Sequence, residues 1–127
     1  MDQIANMLIA IKNGGLVKKA TVILPSSKLK VAILELLKKE EYIKTFHVTE
    51  GVKPTVEIVL AYKKDEPRIT GVARVSKQSK RMYTGVKKIT PFKYGHGMTV
   101  LSTPKGILSD KEARKEMVGG ELLFTIW

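Results

Sequence analysis

Apolar residues recur along this chain first at helical spacing and later mostly in short alternating runs. Residues 3–13, "QIANMLIAIKN", place Ile4, Met7, Leu8 and Ile11 three or four apart, on one face of a helix. Asp2 suits the start of that helix and Gly14-Gly15 its stop. "ATVILP" predicts a short strand closed by Pro25. Ser26 or Ser27 can then cap a second helix over about 27–40, with Leu29, Ile33, Leu36 and Leu37 as its buried stripe. "YIKTFHVTE" and "TVEIVLAY" alternate or run apolar on either side of "GVKP", which predicts an antiparallel pair.

Polar "KKDEPR" at 63–68 marks the expected domain boundary. Strands are predicted beyond it at 69–75, 82–89, 98–102 and 121–127, with "SKQSKR" and "YGHG" as loops. A short helix sits before the last strand. Ser109 and Glu112 form a capping box, Asp110 can pair with Arg114 four residues on, and Gly119-Gly120 is the expected stop. The fold expected is α+β. An N-terminal α/β domain (1–65) of order helix-strand-helix-strand-strand precedes a β-rich C-terminal domain (66–127) with one short helix.

Composition narrows the function. Hydrophobic residues make up 43% of 127, enough for a core. Cysteine is absent, which excludes disulfides and thiolate zinc sites and fits a reducing compartment. The N-terminus lacks a charged region followed by a long apolar run, so neither a signal peptide nor a membrane span is expected; among polyanions, anionic membrane ranks behind RNA and DNA, and no membrane partner is expected. Charge changes the picture most. Lys and Arg number 23 against 12 acids, a net +11 that favours polyanionic partners. No acid lies between Glu66 and Asp110, while that stretch carries Arg68, Arg74, Lys77, Lys80, Arg81, Lys87, Lys88, Lys93 and Lys105. Ordinary solvated surfaces mix both signs, so nucleic acid is the favoured partner.

Within this stretch "LSTPKG" (101–106) joins two hydroxyls, a proline, a cation and a glycine after an apolar run. A nucleophile there would need a base and an orienting acid; His96, the histidine nearby, stands between two glycines with no acid close in sequence. Two histidines 49 positions apart make a poor metal site, and Glu112 and Glu116 have helix-surface explanations rather than catalytic ones. The lysine has no upstream glycines at phosphate-loop spacing. No enzyme activity, metal or cofactor is therefore expected. Ser102 and Thr103 can bond phosphate, ribose or base edges, Lys105 adds charge, and Tyr83 and Tyr94 can stack on a splayed base. An extended sheet surface without a long basic helix favours RNA over major-groove DNA.

"STPKGILSDKEARKEMVGGELLFTIW" resembles the C-terminal end of the small-subunit ribosomal protein eight family, in its Ser102-Thr103-x-x-Gly106 turn, Glu112-Ala113-Arg114, Gly119-Gly120-Glu121 and final Trp127. "RMYTGVKKI" matches through Tyr83, Gly85 and Lys87, and "DQIANMLIAIKN" is similar to the family's opening helix. The resemblance implies a two-domain structural constituent of the small ribosomal subunit. It implies a primary binder of the central domain of small-subunit rRNA that supports assembly beside neighbouring ribosomal proteins. Its place would be the ribosome, in the cytoplasm or inside an organelle, and binding to its own messenger is compatible with the family. Carried over, the RNA-binding residues are Ser102, Thr103, Tyr83, Gly120 and Glu121, with Lys12 and Asn13 at the end of the opening helix and Lys28 at the second. Lys87, Lys88 and Lys105 join them on charge. The chain departs from the family pattern at Pro104, which replaces a third hydroxyl or amide, at Ala10, which replaces an arginine, and at Gln78-Ser79, which replaces Pro-Gly. Lys77 and Lys80 are expected to offset part of this loss.

Overall fold

The N-terminal helical spacing closes into α1 (Gln3–Leu16), with Ile4, Met7, Leu8 and Ile11 all buried. The computed structural model describes residues 3–77, 79–89 and 97–127, so Asp2 lies outside the described residues. Gly14-Gly15 does not stop α1: both glycines are buried in its last turn. A Cβ on Gly14 would meet Val22 Cγ2 at 2.8 Å, and one on Gly15 would meet Pro67 Cβ at 3.2 Å.

β1 (Thr21–Pro25) leads to α2 (Lys28–Lys39). Ser27 is the cap, extended at φ −153°, and its Oγ accepts from Lys30 N at 3.2 Å. Ile33, Leu36 and Leu37 are buried as expected, but Leu29 is 40% exposed. Leu34 and the stem of Lys30 are buried instead, and the Lys30 ammonium donates to Pro25 O at 2.8 Å. β2 (Ile43–Thr49) and β3 (Thr55–Leu60) form the expected antiparallel pair, and β1 adds to the other side of β3. Val56, Ile58 and Leu60 of β3 alternate inward as the core row. "KKDEPR" contributes to a small hairpin, β4 (Tyr62–Lys63) and β5 (Glu66–Pro67). Lys64 (φ 53°) and Asp65 (φ 64°) supply the two positive angles of a type I′ turn.

The chain divides into two compact units, Gln3–Thr70 and Gly71–Trp127. Among the described residues the second is built on a five-stranded antiparallel sheet, and its strands are shorter than alternation suggests. β6 (Val72–Arg74) replaces the strand expected over 69–75. Gly71 and Trp127 exchange two backbone hydrogen bonds of 3.0 Å, and a Cβ on Gly71 would lie 2.5 Å from the indole. The strand expected over 82–89 is β7 (Tyr83–Thr84) followed by a 3₁₀ turn, Val86–Lys88. Of that run, Tyr83 and Thr84 pair with the last strand, Met82 O accepts from Leu122 N at 2.9 Å, and the backbone then closes on itself, Lys88 N donating to Gly85 O.

β8 (Met98–Thr103) and β9 (Gly106–Ser109) form a hairpin, and α3 (Asp110–Glu116) and β10 (Gly120–Ile126) complete the unit. β9 was not expected; four residues between a turn and a helix cap carry no readable period. β10 is central, with β8 along one edge and β6 and β7 sharing the other. Leu101, Ile89 and Ala113 pack with Leu108, Val118 and Leu122, which seats α3 on one face of the sheet. The Ser109–Glu112 capping box is formed, and Arg114 lies 3.5 Å from Asp110. Gly119-Gly120 does not end α3. The stop is Met117, in the left-handed region at φ 57°, with Val118 N bonded back to Ala113 O.

Candidate nucleic-acid interface

"LSTPKG" is the end and turn of the β8–β9 hairpin. Thr103 pairs with Gly106, and Pro104 and Lys105 lie between them. Thr103 Oγ1 accepts from Lys105 N at 3.1 Å and donates to Gly106 O at 2.8 Å. Pro104 presets φ for a turn, and Gly106 takes φ 110°, an angle L side chains resist. The Thr103 hydroxyl thus spends its one proton inside the turn. What it presents outward is a lone pair, suited to a ribose hydroxyl or a base N–H and unable to donate to phosphate.

Register sets the rest of the row. Ser102 on β8 pairs with Glu121 on β10, and Glu121 pairs with Tyr83 on β7. Directly paired residues share a face, so the three side chains stand together on the face opposite Leu101 and Leu122. Tyr83 is 69% exposed. Lys87 and Lys88 follow it, both exposed on the 3₁₀ turn. Lys105 is exposed but ion-paired, its Nζ 3.3 Å from Glu116 at the end of α3.

Gly120 holds this row together without a side chain. A Cβ there would lie 2.1 Å from Ser102 O, and one on Gly119 would lie 2.3 Å from Thr84 O. Only glycine lets β10 begin this close to both β8 and β7.

Glu121 is the one acid of the row, and it is engaged. The fully buried Ser76 hydroxyl donates to Glu121 Oε2 and accepts from Met82 N at 3.2 Å. Arg81 Nη1 reaches the same Oε2 at 3.0 Å. The Ser76 hydrogen bond holds the Glu121 carboxyl below its ordinary pKa; burial opposes this, and the Arg81 hydrogen bond and charge, with the charge of Arg74, add to the lowering. The loop that supplies Ser76 and Arg81 is the expected basic turn, cinched by reciprocal Lys77–Lys80 backbone bonds of 2.9 and 3.0 Å. Sequence reading counted Arg81 among the cations and gave Ser76 no role. No local motif could mark Ser76, because its partner lies 45 residues away.

The structure therefore brings Ser102, Thr103, Tyr83, Gly120 and Glu121 to adjoining positions on three strands, with Lys87 and Lys88 following β7 and Lys105 in the hairpin turn. Lys12, Asn13 and Lys28 are exposed and belong to the first unit. Tyr94, Lys93, His96 and Gln78 lie outside the described residues. Among the described residues no group of three or more His, Asp or Glu could hold a metal, and no helix is long and apolar enough to cross a membrane.

The arrangement is that of a binding surface rather than a reaction centre: hydroxyls and an exposed aromatic ring on adjoining strands, with cations on the turns beside them. The model of the family Ribosomal protein S8 matches residues 2–127, and the chain belongs to that family, a structural and non-enzymatic one. It is 46% identical over 127 residues to the small ribosomal subunit protein uS8 of Novosphingobium aromaticivorans, covering 99% of this chain and 97% of that protein. It is 43% identical to the uS8 of Erythrobacter litoralis over 127 residues, again 99% of this chain and 97% of that protein. It is 44% identical to the uS8 of Mesomycoplasma hyopneumoniae over 126 residues, 99% of this chain and 96% of that protein.

Proposed function

We propose that this chain is a structural constituent of the small ribosomal subunit that binds the central domain of its rRNA and supports subunit assembly beside neighbouring ribosomal proteins. The observation that carries the reading is the row Ser102–Glu121–Tyr83 across three strands, continued by Thr103 in the hairpin turn. Hydroxyls and a ring fixed on a sheet can read ribose and splayed bases, which is how single-stranded and irregular RNA is distinguished. Lys87 and Lys88 supply phosphate contacts, and Lys105 joins them when it leaves Glu116. Lys12, Asn13 and Lys28 form a second, weaker set of contacts on the first unit. Lys77 and Lys80, cinched into one turn, add charge on the loop that precedes Tyr83. The ribosome is the working location, and a site in its own messenger that copies the rRNA surface is a further ligand of the same chemistry.

The test is binding to a central-domain rRNA fragment against a scrambled hairpin of equal length, titrated over several salt concentrations. A preference of about a thousandfold that survives raised salt supports the reading. Equal affinities that collapse together with salt leave a general polyanion binder. Ser102→Ala then separates recognition from attraction. It should lower the preference by about 1–3 kcal/mol, by analogy with a lost base contact. Lys87→Ala should weaken both RNAs and reduce the salt slope by about one. Thr103→Val is a poorer probe, since it also removes both bonds that close the turn.

A further inference from the structure

We infer that Arg81 reads an uncharged acceptor on an RNA base beside Tyr83, held in place by Glu121 and, through Glu121, by the buried hydroxyl of Ser76. The inference deepens the RNA-binding reading above and rests on it. Three observations carry it. Arg81 Nη1 lies 3.0 Å from Glu121 Oε2, and Glu121 is the register partner of both Tyr83 and Ser102, so the guanidinium stands within the recognition row. The Arg81 side chain is 51% exposed, while that of Glu121 is only 16% exposed, so the cation faces outward over its counterion. Ser76 is fully buried, yet its hydroxyl is aimed at the same carboxylate oxygen and is itself fixed by Met82 N.

The chemistry follows from charge balance. A cation meant to attract phosphate gains nothing from a carboxylate at hydrogen-bond distance, because the pair is nearly neutral and releases few counterions. Glu121 offsets most of the charge that Arg81 itself brings, so what Arg81 adds to the surface is oriented N–H donors more than field, while Arg74, Lys77 and Lys80 keep the surroundings cationic. The planar fork of a guanidinium matches the paired acceptors of a base edge, guanine above all. Fixing it beforehand removes the entropy cost of ordering a long side chain on binding. The carboxylate also repels phosphates that arrive without a correctly placed base, which raises selectivity at the expense of gross affinity. Glu121 and Ser76 are positioning residues, and Arg81 makes the contact.

The experiment uses the full chain with the central-domain fragment and the scrambled hairpin across a salt series. Arg81→Ala should lower the preference for the fragment about tenfold while leaving the salt slope within about half a unit of wild type, unlike Lys87→Ala. Glu121→Gln should strengthen binding to the scrambled hairpin and still lower the preference. Ser76→Ala changes no charge and should lower the preference; placed in the Arg81→Ala background it should lower it no further, which a merely structural serine would not obey. An Arg81→Ala variant that loses both RNAs equally, with a slope reduced by about one, makes Arg81 a phosphate contact and overturns the inference. So does an unchanged preference, or additive losses in the double variant. Absence of any preference in the wild type defeats the RNA reading itself; a wild-type preference that Arg81→Ala leaves intact defeats only this inference.

Discussion

Two glycine pairs, Gly14-Gly15 and Gly119-Gly120, look alike in the sequence, each following a helical pattern, and neither ends its helix. The first pair lies inside the last turn of α1, where an added Cβ would meet side chains: Val22 Cγ2 at 2.8 Å and Leu60 Cδ1 at 3.1 Å from Gly14, and Pro67 Cβ at 3.2 Å from Gly15. The second pair leads into β10, where an added Cβ would meet backbone, Thr84 O at 2.3 Å from Gly119 and Ser102 O at 2.1 Å from Gly120. No glycine of either pair has positive φ, so local backbone freedom is not their purpose. Both are small because something else is close. Side chains can rotate or lean away, whereas a carbonyl in a ladder cannot move without breaking the pairing that holds it. The first pair tunes packing, and the second sets the spacing of the strands that carry the recognition row.

The comparison predicts its largest effect at Gly120. Gly120→Ala should destabilise the protein by about 3 kcal/mol or more, beyond the usual cost of an added methyl group, since the atom in the way is a strand carbonyl. Denaturant unfolding measures this; a loss under about 1 kcal/mol would mean that β8 and β10 can separate there cheaply. RNA preference should fall with it. Next is Glu121→Gln, which loses a charge-assisted bond from Ser76 and the ion pair with Arg81, about 2 kcal/mol at neutral pH. Its pH dependence has a definite sign. The folded carboxyl is lowered below its unfolded value, so its stabilisation is complete above the ordinary Glu range, near about 4.3, and fades as pH falls through the lowered value. The gap between wild type and Glu121→Gln should therefore narrow on acidification below about pH 4. A gap that stays constant to lower pH would show that Glu121 acts by shape alone.

Sequence read the first unit better than the second, for a physical reason. α1, α2 and the β2–β3 pair announce themselves through runs of Ile, Leu and Val at fixed spacing, long enough for period to decide. Leu29 failed because a helical stripe is broader than its burial, and Leu34 took the buried place. In the second unit β6, β7 and β9 are two to four residues long, so no period develops, and pairing with β10 or β8 decides what is strand. Local chemistry survived there: the Ser109–Glu112 box and the Asp110–Arg114 pair both formed. Helix termination did not, because Met117 accepts a left-handed angle that glycine would take more easily. The Ser102–Glu121–Tyr83 row was legible as residues and not as a row. Register across strands separated by a helix and a loop is a tertiary property.

The remaining predictions sharpen the contrast from its mild side. Alanine is better than glycine in a helix interior by about 1 kcal/mol. At Gly14 that gain meets a stiff β-branched neighbour at 2.8 Å and Leu60 at 3.1 Å. Displacing them costs about 1–3 kcal/mol, so Gly14→Ala should destabilise by a net 1 kcal/mol or so. At Gly15 the nearest atom is Pro67 Cβ at 3.2 Å, and Pro67 sits on a two-residue strand of a small hairpin that can yield by a few tenths of an ångström. The helix gain should then prevail, and Gly15→Ala should raise stability by about 0.5 kcal/mol. Two neighbouring glycines in one helix turn would thus respond with opposite signs, decided by whether the neighbour can move. If Gly15→Ala destabilises as much as Gly14→Ala, the hairpin around Pro67 is as rigid as the sheet beside Gly14. Mobility of the neighbour would then not be what separates mild glycines from severe ones.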